Sequence, residues 1–337
     1  EGQLATSPPG LPVLYGALNA VMDGSPLTGP LHAQYLTYQC HNDLLLTYTP
    51  AEWASAWLGV LMPMWAALTV LPLYALTRRL VDERAARWSA LWWMLVPGVA
   101  SFAPSWSTFN PFLSVTAFLV FVIALEKQGR AMIVWLLAAG LLTGIALFLN
   151  FVFLPLPGLF GFYTLAYYGW IARKRDDAPP LWWPVGVGVV FGAGMLVPWL
   201  IFMLLGGTDP VAMLRTAFDQ HLVLERPFWY WSWWHLGDWA LFTGVGAFVL
   251  WLLGLARWQH RDSPPLLGLA LLLTVLVMTL SATTRGESGR IWLFLSPFVI
   301  VAALDGLRRL SDGPRAENAL VLITAAQIPL TVAIAGG

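Results

Sequence analysis

Three charged residues share one short stretch of this chain, Thr283-Thr-Arg-Gly-Glu-Ser-Gly-Arg-Ile-Trp292: Arg285, Glu287 and Arg290, with a long apolar run on either side. Charge set beside so much apolar sequence is costly unless it has a partner or a task. Two guanidinium groups at this spacing could grip a phosphate bidentately, and a lipid phosphate lies at the depth of a bilayer edge. The intervening glycines allow a tight turn. The alternative is an Arg–Glu pair that only ties two helix ends. Taken alone, the loop leaves both open.

A second polar group is Asp219, His221, Glu225 and Arg226, followed by Pro227-Phe-Trp-Tyr-Trp-Ser-Trp-Trp-His235. His221 with Arg226 would suit an anionic head group, in contact with a donor or an acceptor. The aromatic run could offer stacking faces to sugar rings or cover a lipid tail. The plain alternatives are a membrane-interface girdle and a salt-bridged loop helix. His32, His41 and Asp43 match no metal-ligand spacing, so they read as a polar surface loop; a divalent cation is possible but not indicated. Asp43 or Glu52 could act as general base beside an acceptor hydroxyl. Thr49-Pro-Ala-Glu52, however, reads as a helix start with Glu52 in the cap. Asn110 and Asn150 could each face a cavity, and read better as helix caps. Asp305, with Arg308 and Arg309 three and four residues on, has the spacing of a helical ion pair.

The elements that must position these residues are membrane spans. The chain of 337 residues is 58% hydrophobic and 11% charged, against about 25% charge in an ordinary soluble domain. This predicts an all-α, polytopic transmembrane helix bundle. Its formal net charge is +0, which gives nucleic acid nothing to bind. The single cysteine, Cys40, excludes an internal disulfide. With spans of roughly 20 apolar residues, ten are expected: about 53–77, 88–105, 109–126, 131–149, 152–172, 182–206, 236–256, 265–283, 291–307 and 317–335. The last, with Asn318 and Gln327, is the weakest. Residues 1–52 read as an extracytoplasmic loop with an interfacial helix, 53–337 as the bundle, and 207–235 as a second external loop. Five loops that alternate with the spans hold 14 of the 18 Lys and Arg residues, which makes those loops cytoplasmic. The polar clusters at 283–292 and 219–235 then face outward.

Near the N-terminus, Ser7-Pro8-Pro9-Gly10 precedes the apolar stretch Leu11 to Met22. Proline favours a helix start, and the stretch is too short to span, so it reads as an amphipathic interfacial helix.

Thr6-Ser-Pro-Pro-Gly-Leu-Pro-Val-Leu-Tyr15 resembles the Pro-Pro stretch in the first external loop of GT-C membrane glycosyltransferases, which include the dolichyl-phosphate-mannose–protein mannosyltransferases and the aminoarabinose transferases. Leu73-Tyr-Ala-Leu-Thr-Arg-Arg-Leu-Val-Asp-Glu-Arg-Ala-Ala86 is similar to their second helix and its cytoplasmic turn. Ala138-Ala-Gly-Leu-Leu-Thr-Gly-Ile-Ala146 resembles a middle helix. Arg285-Gly-Glu-Ser-Gly-Arg-Ile-Trp292 resembles an Arg-Gly-Glu…Arg-Ile-Trp motif of bacterial relatives. The resemblance reaches to about residue 307. Two departures stand out. Ser7 occupies a place where many relatives carry His or Lys. The first helix and the acidic residue after it, which precede the Pro-Pro motif in the family, have no counterpart here, so the sequence reads as N-terminally truncated.

What the resemblance implies is glycosyl transfer from a polyprenyl-phosphate-linked sugar to an acceptor hydroxyl, on the outer face of a bacterial plasma membrane, as part of cell-envelope chemistry. Arg285 and Arg290 would hold the donor phosphate, with Glu287 orienting one of them. Ser7, Pro8, Pro9 and Gly10 would shape the loop that carries the base. Membrane lipids are the expected surroundings. The rival readings are a transporter or flippase of a lipid-linked sugar, which would want ionisable groups at mid-membrane, and a non-catalytic membrane subunit.

Overall fold

The structure is a computed structural model that describes residues 7–23, 25–26, 28–38, 42–174, 176, 178–222, 227–258, 264–281, 286–311 and 313–335. Every regular element among the described residues is helical. In chain order they are α1 (Gly10–Asp23), α2 (Thr28–Tyr38), α3 (Pro50–Leu68), α4 (Val70–Leu80), α5 (Glu83–Met94), α6 (Pro97–Ser101), α7 (Asn110–Glu126), α8 (Gly129–Leu149), α9 (Leu156–Trp170), α10 (Trp183–Leu204), α11 (Pro210–Leu222), α12 (Phe228–Thr243), α13 (Val245–Ala256), α14 (Leu266–Leu280), α15 (Ser288–Ile291), α16 (Ser296–Leu310) and α17 (Pro314–Ala335).

The bundle is the expected all-α membrane type, but the count of ten spans is not reproduced. Among the described residues seven helical stretches are long and apolar enough to cross a bilayer, and eight if a bent pair counts as one. Three expected spans differ. The 88–105 stretch breaks between α5 and α6, because Pro97 cannot continue a helix and biases the residue before it towards extended backbone. The 236–256 stretch bends by 114° between α12 and α13, at Gly244, whose φ of 118° suits glycine. The 265–283 stretch yields α14, of 15 residues.

The break at Leu95 explains the polar residues of the last span. Broken helices leave carbonyls that must find donors inside the bundle. The Leu95 carbonyl accepts from Gln327 Nε2 at 3.2 Å and Thr331 Oγ1 at 2.6 Å, and Trp92 Nε1 donates to Thr324 at 2.8 Å. Gln327, one of the two residues that weakened α17 as a span, thus fastens it to the gap.

The stretch Ser288–Leu310 is the central one, 83% buried in its most apolar window, whereas the windows of Trp183–Leu204 and Arg315–Ala335 are 17% and 11% buried and present their side chains outward. Phe118, Phe121, Phe160, Phe191 and Phe298 pack as a ring cluster at the heart of the bundle. Without a hydrophobic drive between spans, small residues let backbones approach. Gly140 and Gly144 do so: a Cβ on either would lie 2.0 Å from the Phe191 carbonyl oxygen or 2.3 Å from that of Met195, so α8 and α10 run backbone against backbone.

At the N-terminal end, α1 is a helix too short to span. Pro8 and Gly10 are buried, and a Cβ on Gly10 would fall 2.2 Å from the Phe148 carbonyl oxygen, so α1 begins directly on the end of α8. His32 is not on a polar surface loop. It lies on α2, stacked on Trp53 at 3.9 Å between centroids. Trp53 is only 7% exposed, so it is a core residue here and not part of an interfacial belt.

Candidate functional site

The 283–292 loop enters α15 through two left-handed residues, Gly286 (φ 101°) and Glu287 (φ 54°). From α15, Arg290 forms an ion pair with Glu287, and both side chains are about half exposed (45% and 57%). A pair so exposed adds little stability, but it fixes where the guanidinium points. Arg285 lies outside the described residues.

What holds this loop is a residue that sequence reading missed. Asp238, on α12, accepts from the Gly289 amide at 2.6 Å and from Ser288 Oγ at 3.0 Å. Ser288 Oγ also lies 3.3 Å from His235 Nδ1 and 3.1 Å from the His235 carbonyl oxygen. The His235 ring is buried and faces Trp292 at 5.6 Å between centroids. An acid three residues after a histidine lies on the same helical face; this was the one available signal, inside a run dominated by aromatics. Below the loop, Ser114 Oγ donates to the Phe294 carbonyl at 2.7 Å, and Thr243 and Ser296 hydroxyls meet at 2.6 Å. The charged loop therefore sits on a rigid floor.

Arg290 opens onto a cleft of about 420 Å³. Its polar lining is Ser7, Ser107, Asn110, Asn150 and Arg290, and Trp292, Phe218 and Leu214 are among its apolar walls. Residues nearly a whole chain apart thus line one cleft: the Ser7-Pro8-Pro9-Gly10 segment, seated on α8, brings Ser7 to the same cleft as Arg290. Asn150 both lines the cleft and caps the following turn, accepting from the Val152 amide at 3.0 Å. Asn110, expected as a cap, caps nothing, because Phe109 holds the cap position of α7 and Asn110 begins the helix itself. It is 5% exposed and lines the cleft. The N-terminal ends of α7 and α9 also reach the cleft, at Asn110 and Pro155, and bring their positive dipole ends. Among the described residues one cation, these dipole ends and several neutral polar groups make the cleft suited to an anion with hydroxyl-rich substituents.

The other sequence candidates fall elsewhere. The 207–235 segment, read as a loop, contains α11 and the first half of α12, and it walls the cleft with the apolar Leu214, Ala217 and Phe218. His221 ends α11 with its side chain undescribed, and Arg226 lies outside the described residues. Asp43 starts an exposed turn. Glu52 closes a capping box, accepting from the Thr49 amide at 2.7 Å and its hydroxyl at 2.8 Å. Neither carboxylate lines the cleft. Among the described residues no group of three His, Cys, Asp or Glu side chains could hold a metal ion.

The cleft also fixes the ends of the bundle. Asn110, Asn150, Met278 and Arg290 meet here. Arg79, Glu126, Trp170, Pro264 and Arg309 meet around a separate cavity at the other ends of the same helices. The basic loops are therefore gathered at the end opposite to Arg290.

No family model and no curated protein matches the chain. Solved structures do. An oligosaccharyltransferase from Archaeoglobus fulgidus, in complex with Zn and sulfate, aligns with 92% of this chain and 44% of its own, at 18% identity and a TM-score of 0.51. The same organism's oligosaccharyltransferase AglB, in complex with an inhibitory peptide and a dolichol-phosphate, aligns with 92% of this chain and 47% of its own, at 16% identity and a TM-score of 0.51. The chain spans less than half the length of these proteins. At this identity the likeness is one of fold alone: an all-helical bundle with helices long and apolar enough to cross a membrane. It does not single out the mannosyltransferase type.

Proposed function

We propose that this protein holds the phosphate of a polyprenyl-phosphate-linked sugar at Arg290 and transfers the sugar to an acceptor hydroxyl. The observation that carries the reading is the convergence of Arg290, Ser7, Asn110 and Asn150 on one cleft. Its position at the end of the bundle away from the basic loops supports an extracytoplasmic face, by the positive-inside rule, and with it a place in the cell envelope of a bacterial plasma membrane. The fold shared with a protein captured with dolichol-phosphate supports a lipid-linked donor.

In the transfer, the bond from the sugar's anomeric carbon to the phosphate oxygen breaks as the acceptor oxygen bonds that carbon. The polyprenyl phosphate leaves with a growing negative charge, which Arg290 and the dipole ends of α7 and α9 would neutralise. Glu287 would aim Arg290, and Arg285 would be its second grip. Ser7, Asn110 and Asn150 would bond the sugar hydroxyls. His221 and Arg226 are further contacts of donor or acceptor. The acceptor proton passes to a carboxylate; Asp43 and Glu52 are this chain's candidates from the N-terminal segment.

A second reading has its own support. No Asp or Glu is among the described residues that line the cleft, as a subunit that binds the donor without catalysing transfer would have it. One experiment separates the two. Purified protein is given radiolabelled undecaprenyl-phosphate sugar, and both retention and label transfer to a hydroxyl acceptor are followed, with Arg290→Ala as control. Transfer abolished in the variant supports the enzyme. Retention without transfer supports the binding subunit. Retention unchanged in Arg290→Ala rejects the cleft as the donor site.

A further inference from the structure

At the basic-loop end, a second cavity of about 280 Å³ lies between α4, α7, α9, α14 and α16. Two ion pairs from different helices flank it: Arg79 with Glu126 at 2.5 Å, and Arg309 with Asp305 at 2.8 Å. The second pair is the more enclosed, at 12% exposure for Arg309 and 23% for Asp305. Tyr163, 3% exposed, also lines the cavity and brings a phenolic hydroxyl to it.

We propose that this cavity binds the headgroup of a phosphatidylethanolamine-type lipid: a phosphate and a primary ammonium on an acylated glycerol. The two arginines offer the phosphate charge-assisted bonds. Glu126 and Asp305 accept from the ammonium. Tyr163 bonds a phosphate or ester oxygen. Leu80 and Leu266 also line the cavity and are only partly buried, so they offer apolar surface to the acyl chains.

The charge pattern selects among lipids. Two cations and two anions balance, so an anionic phosphatidylglycerol leaves both carboxylates without a cation of its own. A choline headgroup has no N–H for the carboxylates, and would need open aromatic faces instead. The Trp170 ring has a face already taken by Lys174 Nζ, 4.1 Å from its centroid.

The test is native mass spectrometry of the purified full chain, released from detergent after incubation with equimolar phosphatidylethanolamine, phosphatidylcholine and phosphatidylglycerol. The expected result is one ethanolamine lipid retained about tenfold over either rival, the size of one charge-assisted bond. Equal retention of all three, or a preference for phosphatidylglycerol, overturns the proposal. Tyr163→Phe leaves both ion pairs intact and should weaken retention several-fold, and Glu126→Gln should remove the preference over phosphatidylcholine. If both variants retain the wild-type pattern, the proposal fails whatever the wild type binds. Soluble O-phosphoethanolamine should not displace the lipid; displacement at low millimolar concentration would mean that a soluble headgroup, not a lipid, is the ligand.

Discussion

Asp238 Oδ2 lies 2.6 Å from the amide of Gly289, one residue before Arg290. The charged loop is thus clamped from a helix that carries none of the motif. Hydrogen bonds to a charged group contribute about 1.5–3 kcal/mol. We predict that Asp238→Ala weakens retention of a polyprenyl phosphate about ten- to hundredfold, with far-UV circular dichroism unchanged. Asp238→Asn keeps an acceptor oxygen and should lose less. Equal losses in the two variants would show that geometry at Gly289 is not what matters.

Gly10 sets where Ser7 stands. With a Cβ only 2.2 Å from a backbone oxygen of α8, Gly10→Val must push α1 off that helix end. The expected outcome is a several-fold loss of ligand retention with a fall in thermal midpoint of a few degrees at most, since the segment is peripheral. A fall as large as that of a core variant would mean that α1 supports the whole bundle.

For the helix pair α8 and α10, Gly140→Val would drive a side chain into the Phe191 carbonyl, 2.0 Å from the new Cβ. Overpacking of this kind costs about 1–3 kcal/mol or more. Thermal unfolding in micelles should show it, whereas Gly158→Val, with open space around it, should leave the midpoint nearly unchanged.

His32 gives a pH dependence. Burial against Trp53 pushes its pKa below the ordinary 6.5. Above 6.5 the ring is neutral in both folded and unfolded states, and its packing contributes in full. As pH falls below 6.5 the unfolded state takes a proton that the folded state resists, so stability declines until the lowered folded pKa is passed. Hydrogen exchange across Thr28–Tyr38 should therefore quicken, after correction for intrinsic rates, between pH 7.5 and 5.5. In His32→Phe that pH response should disappear; its persistence would assign it to another group.

The bundle was legible in the sequence because most helices are long, apolar and separated by basic loops. The break near Leu95 had one local signal, Pro97, in a run otherwise as apolar as a span. Hidden were the donors to the freed Leu95 carbonyl, Gln327 and Thr331, 232 and 236 positions away. Hidden too was the bend at Gly244, a single glycine in a continuous apolar run. In the site, Arg290 and Glu287 could be picked out by charge against an apolar background. Asp238 was hidden because its importance comes from a neighbour, the Gly289 amide, that no local pattern announces. Asn110 and Asn150 looked alike as caps, and only the start of α7 one residue earlier than a cap requires separates their roles.

The turn at Gly244 has a mechanical result. Because α13 packs along the central α16 while α12 leaves it at 114°, α12 runs crosswise to the bundle like a shelf, with Trp229 and Trp233 on its outer edge (78% and 75% exposed). Such indole rings favour the headgroup layer. The Asp238 clamp on the charged loop therefore comes from a helix set across the bundle and not from one of the long helices that run along it.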